Sequence, residues 1–203
     1  MFTKTSEKIA QKLKQNDTID DEHYEICRYG LQQGLSVLLN IVTTILIGIM
    51  LNMLWQAILF TVLYIPLRSN AGGYHASTAM RCYISSVFMM IAVLLAMKYL
   101  VIPKFICIIA LMISCALIYI LVPVEDVNKQ LDEMEQVVYK RRTYIITALE
   151  IIIFFVALFF GARRISLCIM WVFVMMSGIL LAGKYKNGLN RVSGNVHETE
   201  RNN

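Results

Sequence analysis

The chain has 203 residues, of which 58% are hydrophobic and 16% charged, with a mean hydropathy of +0.61 and a net charge of +5. Those proportions exclude an ordinary soluble domain and fit a polytopic membrane protein. The basic excess belongs beside anionic lipid, and no interleaved aromatic or helix-turn-helix pattern speaks for a nucleic-acid partner.

The first thirty residues, MFTKTSEKIAQKLKQNDTIDDEHYEICRYG, are charged throughout. They lack the apolar stretch and small-residue cleavage site of a secretory signal, and read as an amphipathic arm over residues 1–34. From Tyr29 to Leu67 there are 39 residues without a charge. As helix they extend roughly 58 Å at ~1.5 Å per residue, nearly two crossings of a ~30 Å hydrocarbon core. We divide this interval between Met50 and Trp55, where Asn52 and Trp55 suit an interface. A single long helix followed by a re-entrant segment would use the same residues. Further spans follow at 82–100, 105–122, 143–160 and 165–182. The expectation is an all-α integral membrane bundle of about six segments over residues 35–182, in a single domain without internal repeats, closed by a polar tail over 183–203.

Orientation follows from the basic residues. With the N-terminus inside, fifteen of the nineteen Lys and Arg fall on the cytoplasmic side, leaving Lys98, Lys104, Arg163 and Arg164 outside. Both termini and the loop from Arg68 to Cys82 are therefore expected to be cytoplasmic.

In EDVNKQLDEMEQVVYKRR, Val127, Leu131, Met134 and Val138 recur at helical spacing as one apolar stripe. Such a segment is either a solvated connector with an interfacial helix, or a docking element whose Lys140, Arg141 and Arg142 attract an acidic partner. The tail, KYKNGLNRVSGNVHETERNN, is polar and glycine-containing and reads as disordered. Five cysteines without a C-x-x-C pair argue against a disulfide framework or a thiol relay. Cys107, Cys115 and Cys168 lie within apolar spans as small hydrophobes. His23 and Cys27, four apart, are too few to make a metal site, and no cofactor is implied.

The stretch RSNAGGYHASTAMRC, Arg68 to Cys82, interrupts the apolar pattern with reactive chemistry. A cysteine attacks a carbonyl as thiolate and needs an adjacent base, which His75 can supply to Cys82. Seven residues of straight helix would hold the two about 10 Å apart, beyond hydrogen-bond reach. The glycines of AGGY permit tight or left-handed backbone that folds His75 back over a helix starting near Ser77 or Thr78. Backbone N–H groups at Gly72 and Gly73, or at the start of that helix, are candidate oxyanion donors. Against this stands a plain structural reading, in which the loop carries Arg, Gly and His for topology and turns alone. Other hydrolase patterns are missing: there is no H-E-x-x-H and no G-x-S-x-G.

This run, with its Arg, its Gly-Gly-Tyr-His core and a Cys seven residues on, resembles the signature of the AgrB family, membrane peptidases of Gram-positive quorum sensing. The length, charged arm and multiple spans agree in plan. The resemblance implies an endopeptidase that removes the C-terminal tail of an AgrD-type pheromone precursor and closes a thiolactone through an acyl-enzyme. It implies Cys82 as nucleophile and His75 as base, with Arg68 and Gly73 at motif positions. Arg68 would hold a substrate carboxylate or brace the loop, and Gly73 would set the turn. A homodimer is also suggested. The rival class is a non-catalytic transport or signalling component in which the 68–82 loop is structural. Glu150, about 10 Å into its span, is an intramembrane carboxyl that calls for a role: orienting His75, pairing with Arg68, or resting protonated against a neighbouring helix.

Overall fold

The computed structural model describes residues 3–15, 21–73, 79–124 and 132–201. Seven helices run in chain order: α1 (Thr3–Gln15), α2 (Asp21–Met50), α3 (Leu54–Ala71), α4 (Ala79–Tyr99), α5 (Lys104–Leu121), α6 (Glu133–Phe159) and α7 (Arg163–Arg201). Five are long and apolar enough to cross a membrane, over Ile26–Met50, Met80–Tyr99, Lys104–Leu121, Met134–Phe159 and Arg163–Gly188. The sixth expected segment, α3, has the same 18 residues as α5, but its last turn carries Arg68, Ser69 and Asn70. Those polar residues lower the mean hydropathy of this helix below that of the five spans.

The long uncharged interval breaks at Leu51–Met53, between α2 and α3. Asn52 takes a left-handed φ of 55°, a conformation that Asn tolerates better than most residues, and the Met53 N–H closes back on the Gly48 carbonyl at 2.7 Å. The expected division between Met50 and Trp55 thus coincides with a helix cap.

The helices gather into two compact units that interleave in sequence. The first comprises Met1–Leu54 and Ala76–Ala92, the second Trp55–His75 and Val93–Asn203. In the first, α1 packs along α2 through Ser6 and Ala10, one turn apart and both fully buried. Glu7 accepts a hydrogen bond from Arg28 Nη1 at 3.4 Å, and Lys14 lies 5.8 Å over the Tyr24 ring. Partly exposed pairs of this kind contribute at most about 1 kcal/mol, so the buried face decides the docking. Along α2 the hydroxyl and amide groups of Ser36, Asn40 and Thr43 donate to carbonyls one turn back at 2.8–3.1 Å. Lipid offers them no other partner. Leu38, Val42, Leu46 and Ile49 are exposed along the same helix, as a lipid-facing surface requires.

In the second unit α7 is the axis, packed against α5 and α6. Ile169, Val172, Phe173, Met176 and Leu180 are fully buried, and Leu111, Ile118 and Phe154 meet the same core from α5 and α6. One expectation is corrected here. The tail, expected to be disordered, continues as helix to Arg201. Nucleation is the costly step of helix formation, and α7 has already made it within the packed core, so even a polar, glycine-containing extension propagates. Of the apolar stripe before α6, Val127 and Leu131 lie outside the described residues, while Met134 and Val138 are exposed.

Candidate functional site

The reactive stretch begins in the second unit, at the end of α3. Pro66 sits inside this helix, and its carbonyl accepts hydrogen bonds from Ser69 Oγ at 3.1 Å and Asn70 Nδ2 at 2.8 Å. These local bonds offer the last turn an alternative to helical pairing. The helix then stops at Ala71, and Gly72 and Gly73 follow with φ of 73° and 116°. Such angles are open to glycine and costly to residues with a Cβ.

Their partner is the segment after α5. Gly72 and Val124 form a parallel bridge: the Gly73 N–H donates to the Val124 carbonyl at 3.2 Å, and the Val124 N–H to the Ala71 carbonyl at 3.1 Å. Arg68 Nη1 donates to the Gly72 carbonyl, so the guanidinium braces the turn from within. Space is as restrictive as dihedral angle. A Cβ on Gly72 would collide with the Val124 carbonyl oxygen, and one on Gly73 would stand 2.9 Å from Ile179 Cγ2 and 3.3 Å from Arg68 Nη1. Of the two roles expected for Arg68, the contacts match the brace. The Gly73 N–H, a candidate oxyanion donor, is committed to Val124. The remaining candidate donors in that reading are the Gly72 N–H and the start of α4.

His75 and the expected helix start at Ser77 or Thr78 lie outside the described residues, which resume with α4 at Ala79. Cys82 lies in the first unit, exposed, with a free thiol, in the opening turn of α4. Its carbonyl accepts the Ser86 hydroxyl at 3.0 Å. The next residue, Tyr83, shares a 2.8 Å hydrogen bond with Thr43 that fastens this turn to α2. Such a fixed backbone beside an exposed thiol suits a nucleophile. Val124, Ile179, Thr43 and Tyr83 escape sequence reasoning, because backbone carbonyls and solitary hydroxyls carry no motif.

The other candidates stand apart from the loop root. Lys140, Arg141 and Arg142 are exposed at the start of α6. Glu150 is buried on α6 with 4% exposure, and its Oε2 has no hydrogen-bond partner among the described residues. Among the described residues no cluster of three or more His, Cys, Asp or Glu could hold a metal ion.

The bridge gives a test independent of any activity. Gly161 has a φ of 72°, nearly that of Gly72, but its surroundings are open. Both Gly→Ala variants carry the left-handed penalty of about 1–2 kcal/mol, and only Gly72→Ala also loses the bridge. Two hydrogen bonds at about 1 kcal/mol each correspond to roughly thirty-fold faster opening. Hydrogen exchange followed by mass spectrometry should show that acceleration at the 73 and 124 amides in Gly72→Ala and not in Gly161→Ala. Equal protection in both variants would remove the bridge from the account.

A family model described as accessory gene regulator B matches residues 6–181. Among curated proteins, AgrB-like protein 2 of Clostridium perfringens strain 13 is 26% identical over 93 residues, 46% of this chain and 44% of the relative. An AgrB-like protein of Clostridium perfringens strain SM101 matches with the same identity and coverage. The chain spans less than half the length of these relatives. No solved structure matches. The family match covers the arm, the loop root, Cys82 and the helices through most of the apolar part of α7. The chain belongs to the accessory gene regulator B, or AgrB, family.

Proposed function

We propose that this protein is a membrane cysteine endopeptidase that trims and cyclises an AgrD-type pheromone precursor. Cys82 is the nucleophile and His75 its base. The thiol gives its proton to His75 and the sulfur attacks a peptide carbonyl. A C–S bond forms, the C–N bond breaks, and His75 returns the proton to the leaving amine, releasing the precursor's C-terminal tail. The acyl group then rests on Cys82 as a thioester. An internal thiol of the precursor takes the acyl group from it, closing a thiolactone and freeing Cys82. Activation is preserved because one thioester replaces another, so a site that excludes water favours the ring over the hydrolysed acid.

The observation that carries this reading is the loop root. Arg68, Gly72 and Gly73, all within the stretch that resembles the family signature, are held in a glycine-only turn bridged to Val124 immediately before His75 in the chain. The test is co-expression with the precursor encoded beside the gene, followed by mass spectrometry of membranes and medium. Release of a C-terminal tail with formation of a cyclic product is expected, and an uncut precursor would reject the reading.

Orientation completes the proposal: with α3 as the sixth crossing, both termini and the loop face the cytoplasm, as the fifteen-to-four division of basic residues favours. Single-cysteine variants in a background lacking the five native cysteines should show this on intact cells. An impermeant thiol reagent is expected to label Lys104→Cys and to spare Tyr74→Cys and Tyr139→Cys. Labelling at Tyr74→Cys would place the loop outside and redirect the substrate route.

A further inference from the structure

In the second unit, near the end of α5 and about three turns into α6, two tyrosines meet across the helices. The Tyr119 and Tyr144 rings stack with centroids 4.6 Å apart and planes 15° apart, and the Tyr144 hydroxyl donates to the Tyr119 carbonyl at 3.1 Å. Lys140, one turn earlier on α6, places its ammonium 5.9 Å from the Tyr144 ring centroid. A groove lies along this face, lined by Val137, Lys140, Arg141, Tyr144, Ile145 and Ala148. Steps of three and four residues make them one stripe of helix. The lining holds two cations and no acid over an apolar floor, and Arg142 adds a third exposed cation beside it. Neither Arg141 nor Arg142 forms an ion pair among the described residues.

Depth and charge order narrow the occupant. From Arg141 to Phe159, the end of α6, is 18 residues of helix, about 27 Å, close to the hydrocarbon thickness of a bilayer. With Phe159 at one boundary, Lys140 and Arg141 stand at the phosphate depth of the other. Glu135 lies one to two turns farther out on α6, and Asp132 just before the helix, so this segment presents cations to the head groups and carboxylates to water. Beyond the cations the floor runs through Ile145 and Ala148 to exposed Leu149 and Ile152, along the axis of the span. That direction suits an acyl chain, which runs along the bilayer normal, better than a surface helix, which lies across it.

We propose that this groove binds an anionic phospholipid, its phosphodiester held by Lys140 and Arg141 and an acyl chain laid along Ile145 and Ala148. The guanidinium offers the planar donor fork that matches phosphate oxygens, and the tyrosine clamp sits at head-group level, where amphipathic rings are favoured. Tyr119 precedes Val124 by five residues, so the lipid occupies the same end of this unit as the Gly72–Val124 bridge. The proposal stands apart from the peptidase reading and is tested without any assay of cleavage.

The test is native mass spectrometry of the full-length protein in detergent, titrated with phosphatidylglycerol or with phosphatidylcholine of the same chains. Phosphatidylglycerol should bind the wild type more tightly, and Lys140→Gln with Arg141→Gln should reduce that preference by about five-fold for each charge removed. The charge-matched control Lys184→Gln with Lys186→Gln should retain it, as should the charge-retaining Lys140→Arg. Equal losses in both double variants would mean diffuse attraction and overturn the site. Loss in Lys140→Arg, or no preference in the wild type, would do the same. A soluble acidic amphipathic peptide that binds the wild type through Lys140 and Arg141, while phosphatidylglycerol shows no preference, would assign the groove to a peptide instead.

Discussion

Cys82→Ser is expected to abolish tail release from the precursor, by three orders of magnitude or more, with membrane insertion unchanged. A serine hydroxyl is a far weaker nucleophile at neutral pH than a thiol, which is already a few per cent thiolate. His75→Ala should match it, because the thiol then lacks its base and the leaving amine its proton donor. The two act as one unit, so the double variant should be little worse than either alone. Insertion is expected to survive in both. Cys82 is exposed, and its turn is held by the Tyr83–Thr43 bond and the Ser86 bond to the Cys82 carbonyl, neither of which uses the thiol. Joint replacement of Cys27, Cys107, Cys115 and Cys168 supplies the counter-test. Cys107 and Cys168 are buried within α5 and α7, and conservative replacement should leave most cleavage in place. Full cleavage by Cys82→Ser would end the peptidase reading. Loss of cleavage in the four-cysteine variant, with normal expression, would point to a different nucleophile.

The membrane helices were legible because lipid imposes one rule on every residue it touches. Long apolar runs must be helical, and the break between α2 and α3 is marked by Asn52, a residue that both tolerates left-handed backbone and suits an interface. The tail of α7 was not legible, because its residues are weak helix formers taken alone and inherit their conformation from the preceding part of the same helix, nucleated in a buried core. The site divides in the same way. Gly72 and Gly73 announce unusual backbone in the sequence. The partner that makes the turn necessary, the Val124 carbonyl, is a group every residue possesses and no pattern reveals. Arg68 could be read as a charge near a reactive loop, but whether it faces a substrate or its own backbone depends on that turn. Glu150 lies in a helix long and apolar enough to cross a membrane. Its burial without a partner for Oε2 makes it a position where a neutral replacement such as Gln should be tolerated better than Lys.

The acyl-enzyme separates a cyclising peptidase from a simple hydrolase, and its accumulation is the second large effect expected. A precursor whose ring-closing internal cysteine is replaced by alanine can still be cut once, because cleavage uses only Cys82 and His75. It cannot leave by ring closure. The protein should then carry the N-terminal part of the precursor as a mass increase, with near-stoichiometric occupancy where the normal precursor shows almost none. Hydroxylamine should release it, since a thioester yields to that nucleophile under conditions an amide survives. Cys82→Ser should show no such adduct, as the weaker nucleophile rarely attacks and an oxygen ester resists the same mild treatment. The loop root bears on lifetime as well as formation. If the Gly72–Val124 bridge holds the loop so that water is kept from the thioester, Gly72→Ala should form less adduct and lose what it forms more quickly to hydrolysis, whereas Gly161→Ala should behave as the wild type. Rapid multiple-turnover hydrolysis of the alanine precursor by the unaltered protein, with no trapped species, would show a water-accessible site. The cysteine and histidine would then remain as a peptidase pair, and the transfer from thioester to thioester would have to be abandoned.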